Sequence, residues 1–204
     1  DKIDTGALIL TGVAVRRSNS RAIADLFAAQ AGKFVSVSAG DALETTLAAF
    51  GSGAAARSVR ETARVMNIDI GGGTTKIAVC ENGELVDLTA VDIGARIVAL
   101  DANGCVVRLE EAGRRFAQEV GLDLQLGEAV APADLERMVA RMADRIFEVA
   151  GTSKPDAISQ SLLRLEPLLA QKMPDVLTFS GGVSEYVYGR ETHAYGDLGP
   201  MLAK

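Results

Sequence analysis

The run VMNIDIGGGTTKIAVC, residues 65 to 80, leaves few folds open to this chain. Val65 to Ile70 is apolar apart from Asn67 and Asp69 and rich in β-formers, so it predicts a buried strand, and Lys76 to Cys80 predicts a second. Three glycines, Gly71, Gly72 and Gly73, lie between them. A turn of bare backbone lets amide N–H groups converge on an anion without Cβ interference, and the hydroxyls of Thr74 and Thr75 stand beside it as further donors. Asp69, at the end of the incoming strand, brings a carboxylate to the same spot, where a hydrated Mg²⁺ accompanying a nucleotide needs an anionic partner. The order carboxylate, glycines, hydroxyls predicts a phosphate cradle; a glycine-rich hairpin without a ligand is the plainer alternative.

Glycine-rich phosphate loops of the G-x-x-x-x-G-K-[ST] and G-x-G-x-x-G kinds run from a strand into a helix. Here the next element reads as a strand, followed by Asn82-Gly83, a type I′ hairpin signal, and a third strand over 85–90. Strand, glycine turn, strand, tight turn, strand describes a phosphate-gripping meander, and it resembles the second phosphate loop of the actin, heat-shock chaperone and sugar-kinase superfamily.

Among its 204 residues nearly half are apolar, but aromatics are scarce and Trp is absent, so the core is expected to pack Ala, Val, Leu and Ile. Net charge is −6 and the basic residues are scattered rather than striped, which argues against nucleic acid as a partner. No apolar run approaches the roughly 20 residues a membrane helix needs, so no membrane association and a cytoplasmic setting are expected. Cys80 and Cys105 make neither a metal set nor a disulfide framework and read as buried small hydrophobes. The chain opens on Asp1 with little before its first strand, and a fragment is expected.

Along the chain, Ala7–Leu10 and Phe34–Val37 predict parallel strands, with a helix over 21–31 capped by Ser18 to Ser20 between them. Asp41 and Glu44 have capping-box spacing and open an Ala-rich helix through Ala49, and Gly51 to Gly53 is the best lobe boundary. The organisation expected is therefore 1–51 as the end of a first lobe with a connecting helix, and 52–204 as most of a second, nucleotide-binding lobe. Asn103-Gly104 signals another hairpin, and a short polar helix is expected over 110–120. Pro132 and Asp134 start the clearest helix, with Leu135, Met138, Val139, Met142, Ile146 and Val149 on one face and Arg137, Arg141 and Arg145 largely on others. A further periodic segment over 158–170 breaks or kinks at Pro167.

Val176 to Phe179 is a short apolar strand running into Gly181-Gly182, with Ser184 behind. Ligands gather at the carboxyl ends of strands in open α/β sheets, where a glycine pair admits a base or ribose against backbone. Alone the pair reads as an ordinary strand-to-helix turn. A phosphate hairpin followed about a hundred residues later by strand and Gly-Gly is, by resemblance, the order of the superfamily's second lobe.

A narrower resemblance rests on SAGDALETTLAAFGSGA, RVMNIDIGGGTTKIAV, RMADRIFEV, VLTFSGGVSEYVYG and YGDLGPMLA in that order. Together, over nearly the whole chain, they look like the reactivating factors of ethanolamine ammonia-lyase, the ethanolamine-utilisation protein A family. The resemblance implies an α/β fold, an actin-like ATPase (ribonuclease H-like) lobe with a mixed sheet, a phosphate-binding β-hairpin and flanking helices. It implies an ATP-dependent, chaperone-like factor that frees ethanolamine ammonia-lyase of damaged cobalamin, in the cytoplasm or at a bacterial microcompartment. The implied cofactors are ATP or ADP with Mg²⁺. Asp69 would hold the metal's water shell and orient the attacking water; Gly71, Gly72, Gly73, Thr74 and Thr75 would grip phosphates; Gly181, Gly182 and Ser184 would take the adenosine. The superfamily uses two phosphate hairpins and this chain holds one glycine triplet, so the ATPase is expected of the full-length protein and not of this stretch alone. Lys76 reads as a solvated strand residue, with neutralisation of phosphate as its alternative, His193 as a surface-loop histidine, and Arg96 as a phosphate contact or a surface salt bridge. A small-molecule kinase on the same fold and a non-catalytic nucleotide-binding assembly module are the competing functions.

Overall fold

The computed structural model describes residues 5–10, 22, 33–38, 40–152, 155–169 and 172–204. Strands β1 (Thr5–Leu10) and β2 (Lys33–Ser38) pair in parallel as a two-stranded sheet. All but one residue of the helix expected over 21–31 lies outside the described residues.

Two helices follow where one was expected, α1 (Asp41–Gly51) and α2 (Ala54–Glu61). The chain turns between them at Gly53, whose φ of 81° suits a residue without Cβ. The capping-box reading of Asp41 and Glu44 is corrected by the structure. Gly40 is the N-cap and no side chain caps the helix; the two acids instead pair with basic groups beneath α1, Asp41 with Arg164 at 3.0 Å and Glu44 with Lys76. Arg164 also holds Asp92 at 2.5 Å, which ties the start of α1 to the end of the meander.

The expected meander forms as β3 (Val65–Ile70), β4 (Thr75–Glu81) and β5 (Glu84–Val91), antiparallel throughout. Asn82 and Gly83 turn the β4–β5 hairpin with φ of 51° and 86°, the two positive values a type I′ turn requires. Strand β8 (Val176–Ser180) joins the other edge of β3 in parallel, giving a mixed four-stranded sheet ordered β5-β4-β3-β8. Before it in the chain come the small hairpin β6 (Val98–Leu100) and β7 (Val106–Leu109), then helices α3 (Glu111–Glu119), α4 (Pro132–Phe147) and α5 (Ala157–Leu162). Short helices α6 (Ser184–Val187) and α7 (Gly199–Leu202) close the described chain.

The period-2 alternation of β3 and β4 separates two cores. Met66, Ile68, Ile70, Ile77 and Val79 face one side, where α4 lays Leu135, Met138, Val139, Met142 and Ile146 against Phe116 of α3. Each fully buried aliphatic side chain there contributes about 1.5–3 kcal/mol. On the other side, Val65, Ala78 and Cys80 pack under Ala49, Ala54 and Ala55, small residues that let α1 and α2 lie close to the sheet. Cys80 is a buried small hydrophobe, as expected, and Cys105 is only half-buried.

Two expectations for the helical region change. Arg145 is not on an outer face: it is 1% exposed and ion-paired to Glu119, Glu148 and Asp156. The periodic segment stops at Leu162, five residues before Pro167, because Leu163 turns extended to bridge Val91 and Arg164 N–H donates to Ala90 O.

Candidate functional site

The glycine turn between β3 and β4 is closed by Gly71 N–H donating to Thr74 O at 3.0 Å. Among the described residues, the Gly72 and Gly73 amides donate to no backbone carbonyl. A second segment, Ile93 to Arg96, is zipped onto the turn: Ala95 N–H donates to Gly71 O at 2.9 Å and Arg96 N–H to Gly72 O at 2.6 Å. This approach needs Gly94, where a Cβ would lie 2.6 Å from the backbone of Gly72 and Gly73.

The end of β8 arrives beside the same turn. Gly181 has φ 79°, and a Cβ there would stand 2.5 Å from Ile70 O, so this glycine serves close packing of two strands. Its neighbour Gly182 is open. Gly71, Gly72 and Gly182 line one cleft of about 300 Å³, with Ala95, Arg96, Tyr186, Arg190 and Asp197 also on its walls. Two turns more than a hundred residues apart thus converge on one space.

The other sequence-predicted residues stand around that cleft rather than in its lining. Thr75 is fully buried and donates its hydroxyl to Ile93 O at 2.7 Å, so it fastens the hairpin to the zipped segment instead of presenting a donor outward. Ser184, 6% exposed, donates to Gly181 O at 2.7 Å and fixes the second turn. Thr74 is buried, and a Cβ on Gly73 would meet nothing within 4 Å. Asp69 sits on the sheet face beneath α1, opposite Ser180 on β8 and Lys76 on β4. Ser180 Oγ donates to Asp69 Oδ2 at 2.6 Å and accepts from Asn67 Nδ2 at 2.9 Å, while Thr178 Oγ1 donates to Asn67 Oδ1 at 2.9 Å. The carboxylate is therefore aimed by a ladder of side chains running across the β3–β8 seam. Asn67, fully buried and set one alternate position before Asp69 in β3, was the sign of this ladder in the sequence.

Lys76 is not solvated. It is 5% exposed and paired with Glu44 of α1, a partner thirty-two residues away that no local pattern announces. Arg96 is the more exposed cation, with Nε 3.9 Å from Asp197 Oδ2 and its stem over Gly72.

The cleft's outer rim is the segment after α6. Glu191 Oε1 accepts from the backbone N–H of His193 and Thr192, and Glu191 Oε2 from the Tyr195 hydroxyl, which together hold its carboxyl below the usual range. The same carboxylate pushes the Tyr195 phenol up. His193 stacks edge-on against Tyr195 and is not part of the cleft lining.

The sequence profile described as ethanolamine utilisation protein EutA matches residues 1–204. The chain is 36% identical over 208 residues to the ethanolamine ammonia-lyase reactivase EutA of Salmonella typhimurium strain LT2 and 34% identical over 209 residues to that of Escherichia coli K12. Both alignments cover all of this chain and 44% of the relative, so the chain spans under half the length of the curated relatives it matches. Among solved structures it is similar to the PPX-GPPA enzyme of Aquifex aeolicus, with 13% identity, 92% of this chain and 47% of that chain covered, and a TM-score of 0.49. It is also similar to MreB5 of Spiroplasma citri bound to AMPPNP, with 14% identity, 89% and 57% covered, and a TM-score of 0.38.

Proposed function

The chain belongs to the ethanolamine utilisation protein EutA family, and from that premise we propose that its glycine-lined cleft binds ATP or ADP in the service of lyase reactivation. The partner is ethanolamine ammonia-lyase, and the work is an ATP-dependent, chaperone-like opening that lets damaged cobalamin leave. The observation that carries this reading is the convergence of Gly71, Gly72 and Gly182 on one cleft in a chain that matches the family throughout. The name borne by its relatives, ethanolamine ammonia-lyase reactivase, supports the choice of partner. No helix among the described residues is long and apolar enough to cross a membrane.

The residues divide the task between gripping and holding shape. Gly72 and Gly73 offer backbone amides to phosphate oxygens with no side chain of their own in the way. Thr74 closes the turn, and Thr75, Gly181 and Ser184 keep the two turns at the separation one nucleotide needs. Gly182 leaves flat backbone for ribose or base. Among the described residues no group of three acidic, His or Cys side chains forms a metal cage, so Mg²⁺ would be held through its water shell, with Asp69 as the anionic contact. When bound, the ion neutralises charge on the phosphates. Asp69, with one oxygen anchored by Ser180, keeps the other to orient a water by accepting its hydrogen bond.

Asp69→Asn in the full-length protein tests this. An amide oxygen still accepts from Ser180, so the strand folds and ADP affinity stays within about threefold, whereas phosphate release falls at least about tenfold, or ~1.4 kcal/mol in the barrier. Recovery of inactivated lyase with fresh adenosylcobalamin, measured on the same preparation, falls in parallel. Unchanged hydrolysis removes Asp69 from the mechanism, and lost hydrolysis with intact recovery breaks the link between nucleotide and reactivation.

A further inference from the structure

We propose that Arg96 supplies the positive charge that binds the nucleotide's phosphates at the glycine turn, and that Asp197 is the anion from which it is released to do so; the assignment rests on the nucleotide reading above.

A phosphate chain carries more charge than two backbone amides neutralise, so a cradle of this kind needs a cation within reach. Three basic residues stand near enough to be considered. Lys76 follows the turn in sequence, but it is buried under α1, committed to Glu44, and absent from the cleft lining. Arg190 also lines the cleft, but its guanidinium is engaged 5.6 Å over the Tyr188 ring. Arg96 is different in three ways. Its backbone is bound directly to the turn through Gly72 O. The carbons of its stem lie 3.5 Å from where a Cβ on Gly72 would stand, so the side chain runs across the turn itself. Among the described residues its guanidinium makes no hydrogen bond, and the charge rests only on Asp197 at 3.9 Å.

The two partners differ in freedom. Asp197 is 13% exposed, is bridged to Ala99, and accepts from Gly199 N–H at 3.0 Å, so its carboxylate is fixed. Arg96 is 55% exposed on a flexible stem, with a planar fork of five donors matched to two phosphate oxygens. A short rotation about the stem carries the fork from the carboxylate to the mouth of the glycine turn. Gly94 brings the arginine there: it alone permits residues 94–96 to lie against Gly72 and Gly73.

The experiment is calorimetry with adenosine, ADP and ATP on the full-length protein, its Arg96→Gln, Arg96→Lys and Asp197→Asn variants. The bonds from residues 95 and 96 to the turn are backbone bonds, so Arg96→Gln is expected to fold, with circular dichroism as the check. It should bind adenosine within about twofold of wild type and lose about ten- to a hundredfold for ADP and ATP, the range of a lost charge-assisted contact. Arg96→Lys, which keeps charge without the fork, should recover part of the loss, and Asp197→Asn should bind ADP at least as tightly as wild type. If Arg96→Gln binds ADP like wild type while wild type binds it well, the assignment is overturned and the nucleotide reading stands. An equal loss for adenosine shows a distorted cleft and overturns it too. Wild type that binds no nucleotide overturns both.

Discussion

Gly94→Ala is the sharpest single test of how the site is built, because the glycine touches no ligand and yet sets the position of everything that would. Its added methyl would lie 2.6 Å from Gly72 C and O and from Gly73 C. That is about 1 Å inside the separation of roughly 3.5–4.0 Å at which carbon atoms pack. The obstacle is backbone, so no rotamer relieves it, and the zipped segment must move away from the turn. Overpacking of this kind costs about 1–3 kcal/mol. The displacement also stretches the bonds from Ala95 N–H to Gly71 O and Arg96 N–H to Gly72 O, worth about 0.5–1.5 kcal/mol each when lost. A partial loss of both brings the expected destabilisation to about 2–4 kcal/mol, a large share of a typical domain's 5–15 kcal/mol or so. Urea unfolding followed by circular dichroism measures it, with Gly73→Ala as the control, since nothing stands within 4 Å of a Cβ at that position. The control should lie within about 1 kcal/mol of wild type. A Gly94→Ala protein as stable as the control, with unchanged ADP affinity, refutes the argument that segment 94–96 is seated on the phosphate turn.

Two more predictions follow from the same structure. Gly72→Val should leave stability within about 1 kcal/mol, because a Cβ there meets the Arg96 stem at an ordinary 3.5 Å, while its branches enter the cleft and cut ADP affinity about tenfold or more; wild-type affinity in a folded variant would make the turn merely structural. Arg145→Ala should destabilise by ~3 kcal/mol, the lower end for a broken buried ion pair, since Asp156 is half-exposed and Arg141 still reaches Glu119 at 2.9 Å. The Arg145 bond holds the Asp156 carboxyl down at about 2, and bonds from Ser159 and Arg145 outweigh burial to lower that of Glu148. Depressed carboxyls lend stability above their unfolded values near ~4 and lose it as pH falls toward 2. Acid unfolding of wild type should therefore steepen in that window, and the variant should lose much of this steepness; identical acid profiles would show the network contributes nothing.

What could be read from the chain in advance was whatever depends on neighbours in sequence. The alternation of β3 and β4, the Asn82-Gly83 turn and the stripe of Leu135, Met138, Met142 and Ile146 on α4 are local patterns, and the structure forms each one. What failed were charges whose meaning depends on distant partners. Lys76 alternates with apolar residues as a solvated lysine would, and only the arrival of α1 with Glu44 buries it. Arg145 occupies a polar position on α4 until Glu119 of α3 and Asp156 at the start of α5 close over it, beside its local partner Glu148. The glycines divide the same way. Gly72 and Gly94 look alike in sequence, each small and each near a strand end. What separates them is the surface opposite: Gly72 faces open cleft and an arginine stem, whereas Gly94 faces backbone. A triplet draws attention because repetition is visible, but the residue on which the turn's seating depends is the solitary glycine twenty-odd positions later. For the same reason, Thr75 and Ser184 carry hydroxyls at the expected spacing and spend them on carbonyls of their own supports. Donor type can be read from sequence; donor direction is decided by which acceptor the fold brings nearest.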